Sequence, residues 1–227
     1  MYQSLDPARI IETLDRLKAR IETRFPNSGL SRVCGELTAT ARQTARRAAE
    51  IAAHNWPLRI SVSIVILAGI VGLLSALRYF HLEDAEADVG LLQSLEAAVN
   101  LLILVGGATW FLIGLDDRLK RQRALDQLHT LRSMAHVVDM HQLTKDPHAQ
   151  TDPSALSGND LTRYLDYCAE MLALIAKLAA LYAERMRDSV VIDAVTEIEN
   201  LTTGLSRKIW QKITLIGALD ERSARGA

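Results

Sequence analysis

The sequence predicts an all-α membrane protein. It would consist of a two-helix transmembrane hairpin, a C-terminal cytosolic antiparallel three-helix bundle whose first helix continues the second span, and an N-terminal helical arm. Three observations predict this. Charge all but disappears between Leu58 and Leu115, apart from one short acidic island, while both flanks are rich in Arg, Asp and Glu. Outside that window apolar residues recur at helical spacing. Nothing in the chain reads as a strand. The domains then fall at 1–57 (arm), 58–116 (hairpin) and 117–227 (bundle). A net charge of −1 argues against a dedicated nucleic-acid binder, which is normally basic.

The arm opens with Asp6-Pro7, an N-cap followed by proline at the first helical position. Ile10, Ile11, Leu14, Leu17 and Ile21 then recur at helical spacing, a stripe that needs a covering partner. Phe25-Pro26-Asn27-Ser28-Gly29 ends this helix, and a second is expected from about Ser31 to Asn55, stopping before Pro57. Arg42, Arg46 and Arg47 on it would lie near lipid headgroups, where each basic residue is worth about 1 kcal/mol on an anionic leaflet. A solvated arginine face is the competing reading.

The first span, Leu58–Phe80, carries charge only at Arg59 and Arg78, near its ends. At 1.5 Å per residue it reaches roughly 34 Å, enough for the hydrocarbon core. The second, Leu91–Leu115, is free of charge after Glu96. Between them, residues 81–90 read HLEDAEADVG, without Lys or Arg. Basic residues flank the pair instead, with Arg118, Lys120 and Arg121 following the second span as further headgroup contacts. The positive-inside rule then places both termini in the cytoplasm of a plasma (bacterial inner) membrane. No cleavable signal peptide is expected, because the first apolar run starts near residue 58. In a reducing cytosol Cys34 and Cys168 are expected to be packing residues.

Within the spans, Ala68, Gly72 and Ala76 repeat at four-residue intervals, and Asn100, Gly107 and Gly114 at seven. Small residues at such spacing let helices approach closely, either closing the hairpin or joining copies of the chain. Glu96 and Asn100 are intramembrane polar candidates for interfacial hydrogen bonding or a pore.

No helix breaker interrupts Leu115 to Leu143, so the second span should run on as one long helix. After a Pro-containing loop, Leu161, Leu165, Cys168, Leu172, Ile175, Ala179, Tyr182 and Met186 alternate in steps of four and three. Tyr164, Met171, Leu174, Leu178 and Leu181 widen that stripe beyond a two-stranded seam. Arg187-Asp188-Ser189 makes a short turn. Val191, Val195, Ile198, Thr202, Leu205, Ile209, Ile213 and Ile216 then continue the rhythm.

The stretch 136–148, HVVDMHQLTKDPH, holds three histidines and two aspartates. On a wheel of about 100° per residue, His136 and His141 stand roughly 140° apart. The apparent metal cluster therefore dissolves, and neither a metal nor a cofactor is expected. Arg132, His136 and Asp139 do share one edge of the apolar face. They suit a polar ladder towards Glu197 and its neighbours, a pH- or ligand-sensing element, or part of a metal or catalytic site. Asp146-Pro147 should end the helix. No Gly-rich phosphate loop, GxSxG or CxxC is present. The expected role is therefore a membrane-anchored interaction, scaffold or signalling protein. Its expected partners are the lipid bilayer, further copies of itself in a homo-oligomer and a cytosolic protein, with no nucleic acid. A channel or transporter subunit using Glu96 and Asn100 is the alternative, and a metal sensor or enzyme using His136 and Asp139 the second.

Overall fold

The computed structural model describes residues 5–52, 56–80, 87–143 and 156–225. Among them lie six α-helices and no strand: α1 (Pro7–Arg24), α2 (Gly29–Ala52), α3 (Trp56–Phe80), α4 (Ala87–Leu143), α5 (Gly158–Arg185) and α6 (Ser189–Arg225). The all-helical expectation holds. Three starts differ from it: α2 begins at Gly29, α3 at Trp56, and α4 reaches back to Ala87. Residues 81–86 of the acidic linker, and Asp146-Pro147 with His148, lie outside the described residues.

The boundaries have local causes. The Asp6 carboxylate accepts from Ala8 N–H at 2.9 Å and caps α1 ahead of Pro7. At the other end Asn27 adopts a left-handed φ of 56°, which Asn tolerates better than most residues. That reversal brings Ser28 into place to start α2, where its hydroxyl accepts from Ser31 N–H at 3.1 Å. The Ser157 hydroxyl does the same for α5, accepting from Asp160 N–H at 3.2 Å. Asp188 accepts from Val190 and Val191 N–H and opens α6.

The chain divides into two compact units, Met1–Ala52 with Arg123–Ala227, and Ala53–Gln122. The first is a helical bundle organised round α5, which touches α1, α2 and α6. Those several neighbours explain the width of its apolar stripe. Every position of its four-three seam from Leu161 to Tyr182 is buried, and so are the flanking Tyr164, Met171, Leu174, Leu178 and Leu181. The stripe of α1 (Ile10, Leu14, Leu17, Ile21) is buried in the same core. From α4 come Ala124, Leu128, Leu131, Ala135 and Val138, and from α6 Val191, Val195, Ile198, Leu205, Ile209 and Ile216. Burying one Leu or Ile fully is worth about 1.5–3 kcal/mol, so this shared core dominates the stability of the unit.

Charged pairs set the register of α1 on α5. Arg20 forms a two-pronged pair with Glu170, and Arg24 reaches Asp160 at 2.8 and 3.0 Å. The Leu5 N–H donates to Glu184 at 3.1 Å. Positions rise along α1 as they fall along α5, so the two helices run antiparallel.

The second unit is built differently. Gly69 of α3 is buried against Val105 of α4, and a Cβ added there would lie 2.6 Å from Val105 Cγ2. One turn on, a Cβ on Gly72 would meet Leu101 at 3.4 Å. Most large apolar side chains of this unit nevertheless face outward, including Leu67, Leu74, Leu102, Leu104 and Trp110, the last 83% exposed. Among the described residues one helical stretch, Leu95–Leu143, contains a segment long and apolar enough to cross a membrane, and none of that segment is buried. Ile60–Ser75 forms a shorter apolar stretch on α3.

Candidate functional site

Two sets of residues carry chemistry beyond packing, one in each unit. In the second unit the contact with α3 uses Leu101 and Val105 of α4. Glu96, Asn100, Gly107 and Gly114 lie within about 40° of one another on the helical wheel, and roughly 145° from that contact direction. Glu96, Asn100 and Gly107 are exposed, and a Cβ on Gly107 or Gly114 would meet nothing within 4 Å. The stripe thus points away from α3. Gly72 takes part in the α3–α4 contact, Ala68 is exposed, and the side chain of Ala76 lies outside the described residues. Gly69 makes the tightest approach, and the four-residue repeat passes over it. Its position one turn before Gly72, on the same face, is the signal that would have found it.

In the first unit the side chains of the Arg132, His136 and Asp139 strip meet different surroundings. Arg132 pairs across the surface with Glu197 of α6 at 3.1 Å. Asp139 accepts from the Gln142 side-chain amide at 2.6 Å. His136 is exposed. Sequence spacing put the three on one edge, but long side chains choose partners across helices as readily as along them. His141 instead packs on Gly29, where an added Cβ would lie 2.5 Å from the imidazole Cε1. Lys212 of α6 donates to the backbone carbonyl of Gln142 at 3.0 Å, tying off the end of α4. No group of three metal-ligating side chains comes together among the described residues.

The basic residues expected at headgroups divide. Arg42 donates to both carboxylate oxygens of Asp15, at 3.0 and 3.1 Å. Lys120 pairs with Asp116 at 2.8 Å, and Arg121 is engaged as well. Arg46, Arg47 and Arg118 are exposed. An open groove of about 550 Å³ is lined by Ala19, Arg20, Thr23, Arg24 and Tyr167, but its two arginines are already held by Glu170 and Asp160.

Both thiols are buried. Burial pushes Cys34 up to about 11 and Cys168 up to about 12, so neither supplies a thiolate near neutrality. Tyr182 is likewise pushed up to about 12 by burial, and its hydroxyl faces that of Thr44 without reaching hydrogen-bond geometry.

The chain matches no protein-family model, no curated protein and no solved structure.

Proposed function

We propose that this chain is a membrane-anchored helical interaction protein, a scaffold or signalling component that self-associates in the bilayer. In this reading α3 and α4 form a two-span hairpin in a bacterial inner membrane. The bundle and both termini lie in the cytoplasm, with α4, α5 and α6 antiparallel in turn and α1 and α2 packed into the same core.

The carrying observation is that the arm and the C-terminal helices share one compact unit, while the unit between them wears its apolar side chains outside. If α4 crosses a bilayer, residues before α3 and after α4 can pack together only when the chain crosses an even number of times. The apolar stretch of α3 then supplies the second crossing. A soluble core helix would bury its apolar window, and the window of α4 is not buried at all. Exposed apolar surface on this scale, in monomers usually limited to a few hundred Å², marks a lipid or protein interface.

Self-association is supported by the outward stripe. Asn100 and Glu96, exposed in an apolar window, gain a hydrogen-bonding partner when the same stripe of another copy packs on Gly107 and Gly114. The test is the mass of the protein–detergent complex by light scattering, beside carbonate extraction of membranes. Oligomers that dissociate in Asn100→Leu support the reading, and a chain extracted by carbonate, or monomeric at all concentrations, refutes it.

The exposure of Glu96 and Asn100 on one face also favours a second reading, a channel or transporter subunit whose pore this face lines. Ion flux into liposomes that Glu96→Leu and Asn100→Leu leave unchanged rules it out. A cytosolic protein partner remains part of the leading reading, to be identified by cross-linking in intact cells.

A further inference from the structure

One end of the bundle gathers arginines that are distant in sequence. The Leu5 N–H donates to both oxygens of Glu184, which ties the start of α1 to the last turn of α5. Tyr182 of α5 lies beside Thr44 and within the field of Arg47, so the last turns of α2 reach the same end. Only Met186–Asp188 separate α5 from α6, and α6 therefore starts there. Arg132 of α4 pairs with Glu197 of α6, and as many residues separate Arg123 from Arg132 as Asp188 from Glu197. Arg123 thus sits at the same level.

This end carries Arg46, Arg47, Arg123, Arg185 and Arg187. All five are exposed, and none forms an ion pair among the described residues. Of the nearby carboxylates, Glu184 also holds the Leu5 N–H and Asp188 caps α6, while Asp126 is exposed one turn along α4 from Arg123. At the opposite end the arginines of α1 are neutralised, Arg24 by Asp160 and Arg20 by Glu170. The chain also leaves the bundle after Ala52 and returns to it at Arg123, both at the arginine end.

We propose that this arginine-bearing end docks on anionic phospholipid headgroups and holds the bundle against the bilayer. The inference rests on the membrane reading above and adds the bundle's own contact surface to it. A guanidinium suits a phosphate because its fork of N–H donors meets two oxygens at once. The continuity of the chain from this end into the apolar unit selects lipid over an acidic protein as the occupant.

The test uses the full chain in vesicles. Ser189→Cys, beside Arg187, takes a fluorescent donor selectively because Cys34 and Cys168 are buried. Energy transfer to a headgroup-labelled acceptor lipid is compared in phosphatidylcholine vesicles and in vesicles with added phosphatidylglycerol. The expected result is transfer roughly two-fold higher with the anionic lipid. It should fall as salt shortens the Debye length from about 8 Å at physiological ionic strength to about 3 Å at 1 M. It should be lost when Arg46, Arg47, Arg185 and Arg187 are changed to Glu, with circular dichroism unchanged. A donor at Asn159→Cys, at the other end, should not respond.

Equal transfer in both vesicles, or a gain that survives the four substitutions, overturns the docking surface. A gain that appears only when an acidic protein is added overturns lipid as the occupant. A chain that never enters vesicles overturns the membrane reading itself, and with it this one.

Discussion

The two halves of α4 are one helix made for two surroundings. From Leu95 to Leu115 its apolar side chains point in every direction and most are exposed, Leu104 at 71%; Leu101 and Val105 on the α3 side are half-buried. From Ala124 to Gln142 a single stripe of them (Ala124, Leu128, Leu131, Ala135 and Val138) is buried in the bundle, Leu131 completely, while Val137 and Met140 on the other side stay exposed. Hydrogen bonding along the backbone is the same in both halves. The difference lies in how many faces must avoid water, and that is set by composition and period alone. A helix apolar all round needs an apolar surrounding of some kind, whereas a one-sided helix makes its own by packing.

The largest test of that contrast puts the same charge into each half. Leu131→Asp buries an unpaired carboxylate, and the bundle should lose its cooperative unfolding transition, with a cost above about 4 kcal/mol. Leu104→Asp should leave the bundle folded and instead weaken membrane insertion by about 2.5–3.5 kcal/mol. Calorimetry and membrane fractionation of the two variants give the answer. Loss of the bundle in Leu104→Asp would show that the halves are not separate in character.

A second pair of substitutions separates the two faces of α4 within the apolar unit. Gly69→Leu should force α3 off Val105 at a cost of about 1–3 kcal/mol, read as lost cross-linking between α3 and α4. Gly107→Leu meets nothing within 4 Å and should leave that cross-linking intact while reducing the association of copies. Equal effects of the two on both readouts would count against an outward-facing stripe.

Alkaline titration should distinguish the units by a smaller margin. Both cysteines of the chain lie in the bundle, and burial raises both pKa values. A raised thiol pKa contributes stability that is fully present below the ordinary value of 9.0. It declines above that pH, because the unfolded thiols ionise first, and it is gone beyond about 11 for Cys34 and about 12 for Cys168. Thermal unfolding of the bundle should thus weaken as pH rises through this window, and less so in Cys168→Ala. An unchanged slope in that variant would mean that the thiol does not contribute.

The smallest effect belongs to the surface pair of Arg132 and Glu197. Both side chains are more than half exposed, so Arg132→Ala should change stability by less than about 1 kcal/mol. A larger loss in urea titration would mean that this edge of α4 is more than a solvated face.

Periodicity made the helices and their buried faces legible. The α5 seam, the Ile10–Ile21 stripe and the uncharged window could all be read from residue type, because burial by one partner or by lipid imposes a simple pattern. Partner choice was less legible. That α1 is covered by α5 depends on pairs such as Arg20 with Glu170, which no local pattern links. The Arg132, His136 and Asp139 strip shows the same limit: its phase pointed towards Glu197 and its neighbours, but no local pattern says that Arg132 is the member that takes Glu197. At Gly69 the spacing rule looked for steps of four, whereas helix contacts use steps of three as well.

The bond between Leu5 and Glu184 joins residues 179 positions apart. At a synthesis rate of about 5–20 residues per second, α1 waits on the order of ten seconds before its partner emerges. During that interval Ile10, Leu14, Leu17 and Ile21 have no α5 to cover them, and both apolar helices have already been made. Only α2, which also packs on α1, can shelter that stripe until then, so the two N-terminal helices pair early and their seating on α5 comes late. Truncation before α5 would leave the α5-facing part of that stripe open, and such fragments are where aggregation or degradation should begin.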